Sequence, residues 1–421
     1  MKSLPLVLTI GALALLPLAT TVAQVAPIAA PGFALAGEEE PAVDQAAAER
    51  AQGSKPALDD PGSPPASLDP IPLAILVDLG SGQVLYAKEP DRRFLPASIT
   101  KVMTLYVAFE LIARGQLDEN QSFRMSEDAW KHWHGVGSTM FLDREHDATV
   151  HDLLMGIANV SANDACVVLA EGAAGSVPTW VALMNAEARR IGMANSHFGT
   201  PNGWMDEGQT YATPRDLATL AAAMLRRHPD LYRRYIGHQT STWNGITQRN
   251  HDPILGKLEG ADGIKTGFTN QAGYGFLGSA ERNGRRLVMV IGSAALPRER
   301  ARAASDLMDW GFAAFDSRSL FAPGAQVATA KVQDGETRSV PLIAPTAYSA
   351  TSPRGTRQPV SLRVVYDGPL PAPIKQGDAV ASLEIRIGDA APQKVPLVAG
   401  ANVAKAGPFR RLLNGLAGLV S

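Results

Sequence analysis

Apolar residues along this chain fall into two rhythms. From Pro70 on, the segment LAILVDL, the turn Gly80-Ser81-Gly82 and the segment QVLYAKE together predict a β-hairpin. The stretch from Ser98 to Ile112 is apolar on nearly every face, through Val102, Met103, Leu105, Val107, Phe109 and Ile112. Such a helix has to be buried on all sides, which predicts a central helix. VHDLLMGIANVSANDACVVLAEGA predicts two helices joined near Val160 to Asn163, and TPRDLATLAAAMLRR an amphipathic helix entered through Thr-Pro. GYGFLGSAER and RRLVMVIGSA read as strands joined at Asn283-Gly284, a strong hairpin turn, and DLMDWGFAAF closes the region as a helix. Strands at both ends of a helical middle predict an α+β domain over residues 70–318, whose sheet pairs strands distant in sequence.

Past that region the pattern changes. VATAKV, RSVPLIA, VSLRVVY and AVASLEIRI alternate or run apolar between the turns Asp334-Gly335, Asp367-Gly368 and Gly388-Asp389, which predicts a small all-β domain over residues 319–397. The two ends differ again. Residues 1–23 start with Lys2, continue with an apolar core too short to span a bilayer comfortably, and end in the small residues Thr21 and Ala23. They read as a secretory signal, with Ala34-Leu35-Ala36 as a later cleavage site. Residues 24–69, rich in Ala, Pro, Gly and Glu, predict a flexible leader. In the tail, residues 398–421, Phe409, Leu412, Leu413, Leu416 and Val420 share one helical face flanked by Lys405, Arg410 and Arg411. A basic amphipathic end suits peripheral attachment to an anionic membrane surface, and Gly415 and Gly418 argue against a purely structural helix.

Composition narrows the picture. The chain has 421 residues, 45% hydrophobic and 19% charged, with a formal net charge of -2. That charge, with only scattered pairs such as Arg226-Arg227, offers nothing to nucleic acid. The single cysteine, Cys166, excludes an intrachain disulfide, and its apolar setting ACVVLA predicts an inert buried thiol. His132-x-His134 in KHWHGVG reads as a loop rather than a zinc pair, and no His-Glu-x-x-His occurs.

Three short motifs carry the candidate chemistry. Ser98 and Lys101, three apart on a helix, share a face, so the lysine amine can approach the hydroxyl and act as its base once burial holds it neutral. Ser161-Ala162-Asn163 falls in the gap between two helical stretches, where the hydroxyl can relay a proton and the amide can hold a carbonyl or orient the lysine. Lys265-Thr266-Gly267 offers a charge and a hydroxyl to a carboxylate, on a strand whose glycine admits substrate backbone closely. Each alone is an ordinary cap or turn; the set in this order is not.

The trio resembles that of β-lactamases and penicillin-binding proteins, with Ala162 where the motif carries Asp. More closely, the chain resembles the serine-type D-alanyl-D-alanine carboxypeptidases, the low-molecular-mass penicillin-binding proteins. The likeness runs through ILVDLGSGQVLYAKEPDRRFLPASITKVMT, the SANDAC context, HFGTPNGW, YATPRDLA, DGIKTGFTNQAGYGFLGSAER and LMDWGF, roughly residues 71–315. It implies a β-lactamase/DD-peptidase-like domain, an antiparallel sheet with a helical subdomain, followed by the small all-β domain. The implied substrate is a peptidoglycan stem pentapeptide ending in D-Ala-D-Ala, with β-lactams as covalent inhibitors and no cofactor or metal. The implied location is the periplasm, at the outer face of the cytoplasmic membrane.

Residue by residue, Ser98 resembles the acylated nucleophile and Lys101 its base, with Ser161 and Asn163 across the cleft. Lys265 and Thr266 would meet the terminal carboxylate, and the main-chain N–H groups of Ser98 and Phe268 would form the oxyanion hole. Arg249 and Arg300 align with family arginines near the carboxylate end, and Phe268 stands where some relatives carry histidine. Lys265 is expected to lower the Lys101 pKa further by like-charge repulsion.

Other readings stay in view. A DD-endopeptidase cutting cross-links shares these motifs. A β-lactamase would need a deacylating carboxylate, and Glu171, Glu187, Glu207 and Glu259 lack a Glu-x-x-Leu-Asn context. A non-catalytic wall-binding protein would not need an intact trio.

Overall fold

The computed structural model describes residues 62–356 and 358–407. Five strands form the main sheet: β1 (Leu73–Asp78), β2 (Val84–Lys88), β3 (Ala261–Thr269), β4 (Gly273–Arg282) and β5 (Arg285–Ala294). Their order is β2-β1-β5-β4-β3, antiparallel throughout, so the N-terminal hairpin joins the later strands through the β1–β5 ladder. The continuous apolar runs in β1, β4 and β5 are explained by cover on both faces. Ile75, Leu277, Val288 and Val290 point into the larger core cluster, while Leu76, Phe276, Leu287 and Met289 point into a second one. The sheet is sandwiched, with β3 at one edge.

On the first face lie α1 (Lys101–Ala113), α2 (Val150–Asn159), α3 (Asn163–Ala174) and α4 (Pro214–Arg227). In α1 every residue from Lys101 to Glu110 is buried, as its all-round apolar pattern requires. It begins later than the periodicity predicts: Ala97–Thr100 forms a 3-10 turn, and the α-helix starts at Lys101. A tightened first turn is a common helix entrance, and here it carries the serine. Thr149 and Asp152 form a reciprocal capping box on α2, and the Thr213 hydroxyl accepts from Asp216 N to cap α4. A further helix, Val177–Arg190, is capped by Ser176 with Pro178 in its first turn, two helix-start signals that the chain itself carries. On the opposite face lies α5 (Pro297–Ala313), which starts well before the DLMDWGFAAF segment and packs Ala303, Ala304, Leu307 and Met308 against the sheet.

Two boundaries differ from the compositional ones. The last part of the leader is structured: Ala66–Leu68 is a 3-10 turn, Leu68 is buried, and Lys88 Nζ donates to the carbonyls of Leu68 and Asp69. Composition is silent here because one leucine and one borrowed lysine do the fixing. The C-terminal β domain is wider than 319–397. It opens with strand Phe315–Phe321, paired to Tyr348–Pro353, and includes the bridges of Ile374 to Val403 and Gly335 to Lys405. Phe315–Phe321 is mostly exposed, so no alternation announces it. The signal segment, most of the leader and residues 408–421 of the tail lie outside the described residues. Among the described residues, no single helix is long and apolar enough to cross a membrane.

Candidate active site

The site forms where the N-terminal end of α1 meets the edge strand β3. The turn that carries Ser98 lies against β3 so closely that a Cβ on Gly267 would stand 2.5 Å from the Pro96 carbonyl oxygen and 3.1 Å from Ile99 N. This glycine therefore admits the turn that carries Ser98, where the motif alone suggested an approaching substrate. Ala97, at φ 47°, sits in the left-handed region just before Ser98, and Ser161, at φ 63°, does the same between α2 and α3. Strained backbone at two non-glycine positions around Ser98 is a mark of a functional site.

Lys101 is fully buried beneath the cleft. Its Nζ lies 2.7 Å from Ser98 Oγ, 2.8 Å from Asn163 Oδ1 and 2.8 Å from the Asn202 carbonyl oxygen. Three acceptors match the three protons of an ammonium. A neutral amine keeps two donors for Asn163 and Asn202 and turns a lone pair to Ser98. Burial lowers its pKa to about 8, opposed by Cys166 and Asp164. Burial pushes the Cys166 thiol up to about 12, so at neutral pH it carries no charge and is inert. The expected repulsion from Lys265 is not what carries the shift; burial is.

Ser161, Asn163, Thr266, Gly267 and Phe268 line one cleft with Ser98, and Lys265 is buried just below it, its Nζ 3.3 Å from the Thr266 carbonyl oxygen. The Asn163 amide spends one donor on the Val136 carbonyl oxygen and keeps a second for a ligand. Phe268 stacks on Tyr274, ring centroids 4.2 Å apart, which steadies the end of β3. The two arginines fall outside the residues that line the cleft. Arg249 is exposed on the hairpin strand Ile246–Arg249, and Arg300 is buried in α5, its guanidinium 5.7 Å from the Tyr274 ring centroid. His132 lies in the short helix Glu127–Trp133 and not in the expected loop; its ring contacts the Asp128 carbonyl oxygen one turn back, while His134 ends that helix and stacks on Trp130.

Four groups at the site escaped sequence reasoning. The Asn202 carbonyl that holds Lys101 is a main-chain atom and has no residue signature. Asp164, buried beside the site, accepts from Met140 N, Leu142 N and Ala165 N and so ties the 140–142 segment to α3. Trp204 and His251 line the cleft from loops whose sequences mark no element.

A buried lysine hydrogen-bonded to a serine at a helix entrance, opposite a Ser-x-Asn turn and a Lys-Thr-Gly edge strand, is an arrangement suited to serine acyl transfer. The chain belongs to the family described as D-alanyl-D-alanine carboxypeptidase, which it matches over residues 72–295. Residues 315–405 match the C-terminal domain of penicillin-binding protein 5. It is 34% identical over 345 residues to the D-alanyl-D-alanine carboxypeptidase DacA of Haemophilus influenzae, covering 81% of this chain and 87% of that one. To DacC of Escherichia coli it is 33% identical, covering 80% and 85%. Among solved structures it is similar to penicillin binding protein 5 from Haemophilus influenzae, at 32% identity and TM-score 0.65 over 82% of this chain and 99% of that one. A penicillin-binding protein of Listeria monocytogenes in an ampicillin-bound form aligns at 27% identity and TM-score 0.52, over 58% and 97%.

Proposed function

We propose that this protein is a serine D-alanyl-D-alanine carboxypeptidase that removes the terminal D-Ala of peptidoglycan stem pentapeptides through an acyl-enzyme on Ser98. One observation carries the reading: the fully buried Lys101 amine, 2.7 Å from Ser98 Oγ, with a pKa lowered to about 8. As Ser98 Oγ attacks the penultimate carbonyl, its proton passes to the neutral Lys101 amine. The negative charge on the carbonyl oxygen is met by the main-chain N–H groups of Ser98 and Phe268. The C–N bond then breaks, and a proton routed through Ser161 reaches the leaving amine. Lys265 and Thr266 hold the terminal carboxylate. Water, deprotonated by Lys101, cleaves the ester and frees Ser98.

The same attack opens a β-lactam ring and leaves the drug on Ser98. Among the described residues that line the cleft there is no Asp or Glu to activate a deacylating water, which favours a long-lived penicilloyl enzyme over a β-lactamase. Rapid turnover of benzylpenicillin by the pure protein would count against this. A muramyl pentapeptide and a cross-linked dimer, incubated side by side, test the main reading. Release of D-alanine from the first alone supports it; cleavage of only the dimer makes the protein an endopeptidase.

The protein is proposed to be exported to the periplasm and held at the outer face of the cytoplasmic membrane by its basic amphipathic tail. Support comes from the signal-like start and the one-faced apolar pattern of residues 409–420. Fractionation of cells expressing the full chain and a chain ending at residue 407 tests it. A shift from the membrane to the soluble fraction is expected, and equal partition would refute the tail's role.

A further inference from the structure

Along β3 the cleft has a definite upstream limit. Thr266, Gly267, Phe268 and Thr269 line it, whereas Ile264 and Lys265, just before them, are buried. The segment that follows the helix Pro229–Tyr235 packs on the start of the strand. A Cβ on Gly237 would lie 2.4 Å from the Asp262 carbonyl oxygen, and one on Gly263 would lie 2.5 Å from Ile236 Cγ2. This segment also carries the foot of a hairpin, Thr240–Trp243 paired with Ile246–Arg249. Asn250 N donates to the Gln239 carbonyl oxygen at 2.8 Å, and Asn250 Nδ2 to that of His238 at 2.9 Å. The hairpin is therefore rooted at the Thr266 end of the cleft. From there it is tied to the opposite wall twice. His238 N and Asn250 Nδ2 donate to Asn159 Oδ1, at 3.1 and 3.3 Å, where α2 ends just before Ser161. Gln248 Nε2 donates to the Thr139 carbonyl oxygen at 2.9 Å. Thr139 follows Ser138, a cleft residue whose carbonyl oxygen accepts from Asn163 N, and His251 lines the cleft beside Asn250. The Gln248 bond thus runs from the β3 side to the side of Ser161 and Asn163.

We propose that Gln248, bonded across to Thr139, makes this hairpin a stop that limits the leaving residue to a side chain as small as that of D-alanine. This rests on the carboxypeptidase reading, which seats the leaving carboxylate on Lys265 and Thr266. Gln248 is a positioning residue: it acts by holding the hairpin against the opposite wall. A site rejects a competitor by leaving it no room. In a cross-linked substrate the leaving residue carries a long arm to a second stem, and with the two walls tied the arm has no exit at this end. A free terminal D-alanine needs none.

The test uses diacetyl-lysyl-D-alanyl peptides that end in D-alanine, D-norleucine or D-lysine, with release of the terminal amino acid as the readout. The wild-type protein should favour D-alanine over the two long residues by about 10^2-fold in kcat/KM, the scale on which a closed pocket rejects added methylenes. In Gln248→Ala that ratio should fall by about ten-fold, the worth of one hydrogen bond. Gln248→Glu keeps the length of the side chain but has no donor for a carbonyl at neutral pH, and should match Gln248→Ala. Labelling of Ser98 by fluorescent penicillin in each variant shows that the fold persists. Comparable release of all three residues by the wild type, or a wild-type ratio in either variant, overturns the stop. A loss of rate on the three peptides alike would make Gln248 a structural residue only, and overturns it too. No amino acid from any peptide would sink the carboxypeptidase reading itself, a different result from release without preference.

Discussion

At the scale of the residue, the decisive quantity is the charge on Lys101. An ammonium in that position satisfies Ser98, Asn163 and Asn202 at once but cannot accept a proton. With the pKa lowered to about 8 by burial, roughly one molecule in ten holds the neutral amine at pH 7. The acylation rate should therefore climb about ten-fold per pH unit below that pKa and level off above about pH 8. Stopped-flow acylation by a chromogenic β-lactam between pH 6 and 9 measures it, and a flat profile would remove Lys101 as the base. Lys101→Arg keeps a cation but never frees a lone pair, so acylation should drop by about 10^2–10^4-fold. Asp164 works differently. It holds three main-chain N–H groups and so shapes the wall instead of moving protons.

At the scale of the element, α1 is held at both ends. Its first turn leans on β3 through Gly267, and Gly267→Ala should push strand and turn apart. A cost of about 1–3 kcal/mol is expected from the forced overlap, read as a lower melting temperature together with slower penicillin acylation. Normal values of both would show that the turn can yield. At the far end Glu110 is buried and receives Tyr106, Arg114, Arg227 and His228. Burial alone would raise its pKa, but the hydrogen bonds of His228 and Arg227 and the nearby charges win and hold it well below the usual carboxylate range. Its contribution is thus complete above an unfolded pKa near 4.5 and is lost as the pH falls below that. Glu110→Ala leaves the buried Tyr106 hydroxyl and His228 ring without their carboxylate and should cost about 1–3 kcal/mol, seen in urea titrations at pH 7. The gap between variant and wild type should narrow in acid.

The elements also show what a chain can and cannot announce. The α1 run, the α2–α3 gap and the β4–β5 hairpin were legible because periodicity and turn residues are local. Ser98, Lys101, Ser161, Asn163, Lys265 and Thr266 were legible as a set because fixed spacing ties side chains to chemistry, and the fold brings them to one cleft. The Asn202 carbonyl, the Trp204 wall and the retreat of Arg300 under Tyr274 were not. They depend on which loop lies over which strand, and no residue pattern encodes that.

At the scale of the whole molecule, Asp78 ties the two domains. It ends β1 with no exposed surface, and its Oδ1 accepts from the N–H groups of Gly80 and Ser81. Its Oδ2 accepts from Arg285 Nε at 2.7 Å, in the main sheet, and from Thr351 Oγ1 at 3.0 Å, in the β domain. Ser349 N donates to the Gly80 carbonyl beside it. One carboxylate thus closes the β1–β2 turn, neutralises Arg285 and grips the second domain, so losing it should be felt in all three. Asp78→Ala strands Arg285, largely buried, without its partner and should cost about 3–5 kcal/mol. Thr351→Val removes only the link across the interface and should cost about 1 kcal/mol. Calorimetry separates the two roles. If Asp78 couples the domains, the wild type melts in one transition and Asp78→Ala in two, with Thr351→Val between them. A single, merely lowered transition in Asp78→Ala would mean that the carboxylate serves the turn and Arg285 alone, and that the β domain is held by strand and core contacts that do not pass through it.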